Sequence, residues 1–160
     1  MIKIILTAFV ACTMGLACAE SGNVQTLSHG IISNLASLDY GNAKSSTSNV
    51  RGAANVMQSD VSFFPVGRMS SFECIGASSS DAQNQSGTSQ CLVIDSDGDK
   101  LRQNFVRTEV TQKLIKGTVE LNGLTGKYSG ATGTGTYELQ VIQGNGVTYL
   151  SNLVKMKVSK

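Results

Sequence analysis

Apolar and polar residues alternate most clearly at the end of the chain, where Val154, Met156 and Val158 interleave with Lys155 and Lys157. A period of two puts alternate side chains on opposite faces of a strand, so Leu153 to Val158 is predicted as a half-buried strand with its lysines in water. Shorter apolar-rich runs stand upstream, between clusters of Gly, Ser, Asn and Asp. They cover 60–66 (DVSFFPV), with Pro65 at its end or on an edge, and 69–76, with Phe72 and Cys74 on one face. Further runs cover 90–95, 100–106, 118–121, 136–142 and 147–150. Ser96-Asp97-Gly98 between two of them is a strong hairpin signal, because Gly after Asp accepts the backbone of a tight turn. No amphipathic stretch of helix length follows residue 50. Short strands at even spacing, with turn residues between, predict an all-β antiparallel barrel or sandwich.

The first third of the chain reads differently. Ile31, Ile32, Leu35 and Leu38 fall at helical spacing, which predicts a short helix, while 42–49 (NAKSSTSN) reads as a turn or linker. Residues 20–49 are therefore a segment of open structure preceding a β domain over 50–160. At the start, Lys3 is followed by an apolar run from Ile4 to Ala17 and by Ala17-Cys18-Ala19. A short positive region, an apolar core and a small-x-small site make 1–19 a signal peptide cut before Glu20. The run is short of the ~20 apolar residues that a membrane span needs. The alternative is a lipoprotein acylated at Cys18; the usual Leu three residues before that cysteine is Gly15 here.

Composition narrows the function classes. The chain has 160 residues, enough for one domain, with 13 basic and 11 acidic side chains and a net charge of +2. Such a balance argues against nucleic-acid binding and against charge-driven disorder. With one histidine, His-rich metal sites and paired-imidazole chemistry are not available. If Cys12 and Cys18 belong to the export segment, Cys74 and Cys91 remain as a pair, expected to form a disulfide in an oxidising compartment. The sixteen residues between them, IGASSSDAQNQSGTSQ, read as a flexible polar loop. The alternative, a nucleophilic cysteine, needs a base to hold the thiolate, and only His29 is present.

Asn122 to Tyr137, NGLTGKYSGATGTGTY, resembles the GTGKYAGIxGxGxY motif of the allene oxide cyclase and dirigent group of calycin-like barrels. Cys91 to Lys100, CLVIDSDGDK, is similar to a hairpin of small exported bacterial proteins that share that motif. The resemblance covers about Phe72 to Tyr137 and departs from the pattern at Leu124, where Gly is usual. It implies an antiparallel barrel of about eight strands, whose interior is filled by side chains or holds one small ligand. It implies no catalytic residue here, because the matching text is a bend and not the active-site strands. The late glycines, from Gly117 to Gly146, then read as barrel corners and close backbone approaches. A phosphate-cradling motif is absent.

Candidate chemistry is sparse. Asp95, Asp97 and Asp99 form D-x-D-G-D, a calcium-like run, but an EF-hand has Gly at its sixth position and Glu at its twelfth, and here those are Lys100 and Val106. The run is read instead as a solvated hairpin tip. Ser78 to Ser80 lack a nucleophile elbow and a triad. Glu120 and Glu138 are expected to face solvent by alternation. Phe63, Phe72, Phe105, Tyr137 and Tyr149 are the candidate cavity residues, with core filling as their other role. No catalytic, cofactor or metal residues are assigned. The expectation is a secreted or periplasmic barrel that binds a small apolar ligand or a protein partner, without nucleic acid or a transmembrane segment. The alternatives are a cyclase or isomerase working in the cavity, and a surface protein with a filled barrel that meets a partner through 77–90.

Overall fold

The computed structural model describes residues 19–81, 85–111 and 114–160. The leader expected over 1–19, with the lipoprotein cysteine, lies outside them except for Ala19. Eight antiparallel strands close into a barrel: β1 (Ser21–Tyr40), β2 (Ala43–Ser59), β3 (Met69–Ser80), β4 (Gln85–Asp95), β5 (Lys100–Val110), β6 (Ile115–Gly123), β7 (Thr132–Gly144) and β8 (Val147–Ser159). Each strand pairs with its sequence neighbours, and β1 closes the ring on β8 from Ser21↔Ser159 to Ile32↔Thr148. Closure leaves no free sheet edge over that span. Glu20 and Lys160 exchange two backbone hydrogen bonds, at 3.0 and 2.9 Å, so the described ends lie side by side.

Alternation makes the core. On β8 Val154, Met156 and Val158 are buried and the intervening lysines are exposed, as their sequence pattern predicts. Val119 and Leu121 of β6, Phe105 of β5 and Val24 of β1 point inward with them. Each such side chain contributes roughly 1.5–3 kcal/mol when fully buried. The turn between β4 and β5 is the expected one, with Gly98 at φ +86°. Glu120 and Glu138 are exposed.

Three expectations are corrected. First, 31–38 are strand and not helix. Leu35 and Leu38 are more than half exposed, so their helical spacing marks no buried face; β1 and β2 instead make a long hairpin whose far end extends past the start of β8. Second, 60–66 is not a strand. It is an irregular segment that crosses one end of the barrel and turns Val61, Phe63 and Phe64 together into the core. Side chains of a strand cannot all point one way; those of a turning segment can. Third, the polar run between the cysteines is mostly paired strand. β3 and β4 stay in register from Ser70↔Asp95 to Ser80↔Gln85, with Cys74 directly opposite Cys91 and bonded to it.

The ends of the barrel are unlike. One is plugged by residues 60–68 and by the β6–β7 connection, where a single 3-10 turn (Gly126–Tyr128) buries Tyr128 beside Ala131. Phe64 packs on Phe63 and Tyr128, with ring centroids 5.4 and 4.9 Å apart. The plug is pinned from outside: Asp60 accepts from the backbone and side chain of Asn23, and the Glu20 carboxylate accepts from Ser62 Oγ at 2.8 Å. The other end carries the β1–β2, β3–β4, β5–β6 and β7–β8 connections. No helix among the described residues is long and apolar enough to cross a membrane.

Candidate functional site

Above the plug the barrel holds a cavity of about 280 Å³. Small-molecule pockets commonly occupy ~300–1,000 Å³, so this one suits a compact ligand. Its floor is Val56, Phe64, Val93, Leu101 and Tyr128. Toward the mouth the lining divides by strand. On β2 to β5 it becomes polar, with Ser46, Ser48, Ser78, Ser89 and Arg107; on β6 to β8 it stays apolar, with Ile115, Leu139, Val141 and Leu150. Ser46 and Ser78 Oγ are hydrogen-bonded at 2.9 Å across adjacent strands. Asn152 lines the β8 wall, and its Oδ1 is buried without a hydrogen-bond partner among the described residues.

The space survives because large inward side chains lie along the wall, over glycines of neighbouring strands. The end of the Phe72 ring lies 2.7 Å from where a Cβ on Gly52 would stand, and the Tyr137 ring 2.5 Å from one on Gly117. The same two Cβ positions fall 2.0 Å from the backbone oxygens of His29 and Val106. No side chain fits there. Tyr137 then meets Phe105 edge-on, with centroids 5.2 Å apart. Burial pushes the Tyr137 hydroxyl pKa up, partly countered by the charge of nearby Arg107.

Among the cavity candidates read from the sequence, Phe72, Phe105 and Tyr137 line the space together. Phe63 is buried in the plug, outside the lining, and Tyr149 is 45% exposed on the outer face. The reasons differ: Phe63 packs within the plug against Phe64, below the cavity floor, whereas Tyr149 alternates with inward Leu150 and faces outward. Sequence reasoning passed over Arg107 and Asn152. The signal for Asn152 was its place in the β8 alternation, two residues from Val154. Arg107 continues the inward series Leu101, Gln103 and Phe105 on β5, but a charged residue at an inward position is read by default as solvent-facing. His29 is exposed on β1.

The D-x-D-G-D run is the second unforeseen feature. Asp97 is exposed as expected, but the Asp95 side chain is fully buried. It accepts from the backbone N–H of Asp97 (2.9 Å) and Asp99 (3.1 Å) and from the Tyr128 hydroxyl (3.2 Å), and it pairs with Lys127. Lys127 Nζ also reaches Asp97 at 2.8 Å and Asp99 at 3.3 Å, while Arg68 approaches Asp95 at 3.6 Å. The three carboxylates thus converge on the chain's own ammonium, which ties the β4–β5 turn to both plug segments. Burial pushes the Asp95 carboxyl up, but its hydrogen bonds to Lys127, the Asp99 N–H and Tyr128 outweigh that and hold it below the ordinary carboxylate value. Burial, the Asp95 charge and the hydrogen bond to it push the Tyr128 hydroxyl to about 12.

The chain matches no protein-family model, and no curated protein matches it in sequence. The eight-stranded antiparallel barrel is compatible with a calycin-like fold.

Proposed function

We propose that this protein is an exported binding barrel that takes up one small, largely apolar molecule through its open end. The cavity above the plug carries this reading: a space of about 280 Å³ kept free by glycines beneath Phe72 and Tyr137. Packed barrel cores normally fill such a space with side chains. Phe72, Phe105 and Tyr137 supply flat apolar contact, and Asn152 Oδ1 offers an acceptor that would orient a donor on the ligand. The resemblance of 122–137 to the allene oxide cyclase and dirigent group supports the same fold and leaves cyclisation as the second reading. The first is preferred because the weakly acidic hydroxyls on the lining, those of Tyr128 and Tyr137, are pushed above their ordinary value by burial, and no described carboxylate or histidine lines the cavity to accept a proton. Export is supported by the leader pattern and by the disulfide, which suits an oxidising compartment.

Titration with the neutral fluorophore N-phenyl-1-naphthylamine tests the binding. Saturable binding with Kd of about 1–10 μM, near −8 kcal/mol, is expected. Ser89→Phe, which sends a ring from the wall into the lumen, should abolish it while leaving the melting temperature within about 3 °C, the equivalent of ~1 kcal/mol. No saturable binding to the wild type, or equal binding to the filled variant, would refute the reading.

A further inference from the structure

Arg107 is the one charged side chain among the described residues that line the cavity. It makes no salt bridge with any described residue, whereas Arg68 and Lys127 at the plug are held by Asp95 and Asp97. The nearest acid along its own strand, Glu109, is paired outside the barrel with Lys116 at 3.9 Å. The guanidinium lies over Gly87 of β4, its Cζ 3.2 Å from where a Cβ would stand, and Ser78 Cβ approaches the same point to 3.3 Å. A permanent charge therefore sits at the junction of the hydroxyl-bearing wall and the aromatic pair Phe105–Tyr137. An arginine half withdrawn from water without a carboxylate is costly unless an anion joins it, and its fork of N–H donors can reach two oxygens of a carboxylate or a sulfonate at once.

We infer that the ligand is an amphipathic organic acid, its carboxylate or sulfonate held by Arg107 with the Ser78 side of the wall, and its apolar body against Phe105, Tyr137 and Leu139. The inference rests on the binding reading above and names the ligand class for the same cavity. The polar–apolar division of the mouth follows from it: head beside Arg107 and the hydroxyls of β3 and β4, body on Phe105 and the apolar wall of β6 to β8.

The test pairs two probes that share a ring system: anionic 8-anilinonaphthalene-1-sulfonate and neutral N-phenyl-1-naphthylamine. Arg107→Gln should weaken the anion at least about tenfold, the loss of one charge-assisted contact, and change the neutral dye by less than about twofold. Arg107→Lys should retain most of the anion affinity, because it keeps the charge and loses only the fork. Ser89→Asp, one inward step along β4 from Gly87, supplies an internal carboxylate and should suppress the anion selectively without touching Arg107. If the wild type binds the neutral dye but not the anion, or Arg107→Gln binds the anion as tightly as the wild type, the acid inference falls and the binding reading stands. Equal loss of both dyes in Arg107→Gln also overturns it, since Arg107 would then only support the wall. If neither dye binds the wild type saturably, the binding reading itself has failed.

Discussion

Replacing Asp95 by Ala should destabilise the barrel by about 4–6 kcal/mol. The side chain is fully buried and serves two turn amides, the Tyr128 hydroxyl, Lys127 and Arg68 at once. Breaking a buried ion pair by removing one partner costs ~3–5 kcal/mol where the other charge is left alone. Here Lys127 keeps Asp97 and Asp99, and Arg68 keeps Asp97 and Ser96, so the charge penalty is at the low end. The Tyr128 hydroxyl, on a residue 2% exposed, is left without its acceptor, which adds about 1–3 kcal/mol. Tyr128→Phe should cost less, about 1–2 kcal/mol, because Asp95 retains its other partners. Urea unfolding at pH 7 measures both. The pH dependence gives the sign: a carboxyl held below its ordinary value near 3.8 adds stability above that pH and loses it as pH falls further. Asp95→Asn should therefore be less stable than the wild type at pH 7 and lose less on acidification below about pH 4. A cost under about 1 kcal/mol for Asp95→Ala, or an acid limb unchanged in Asp95→Asn, would refute the assignment of Asp95 as the tie between turn and plug.

Gly117→Ala should destabilise by more than about 2 kcal/mol, since its Cβ would fall 2.0 Å from Val106 O and the backbone cannot yield cheaply; thermal melts of this variant against an exposed control check it. Removing the Cys74–Cys91 bond by double substitution to Ala, across a sequence separation of 17, should cost ~3 kcal/mol and lower the melting temperature by about 10 °C. Ultraviolet titration of the four tyrosines should show one, Tyr128, ionising near 12. Because that value is raised, its contribution is complete below about pH 10 and is lost between there and about pH 12, so Tyr128→Phe should show a flatter alkaline limb in unfolding experiments.

The legible parts of the fold were those with one wet face. β8 shows its period of two because lysine and valine have opposite preferences, and the β4–β5 turn shows in Asp97-Gly98. β1 did not, because near the mouth its two faces are both exposed and no contrast is written into residues 33–40. The plug was misread because apolar content alone says buried, while Phe63 and Phe64 being neighbours with the same environment already contradicts a strand. Asp95 looked like a solvated tip because its neutralising Lys127 lies 32 positions downstream, on a loop whose docking no local pattern reveals. The cavity was least legible of all: it depends on which glycine of one strand lies beneath which ring of the next, and that is a property of register.

The pairing of Glu20 with Lys160 sets the attitude of the whole molecule. Both described ends leave the barrel at its sealed pole, so a tether joined there (acyl chain, linker or fused protein) would hold the barrel by its base and turn its opening away from the anchoring surface. The two ends are also close enough to be spliced by a few residues. A permuted chain reopened at the Asn145-Gly146 turn would hang from the opposite pole, with its opening facing the surface instead.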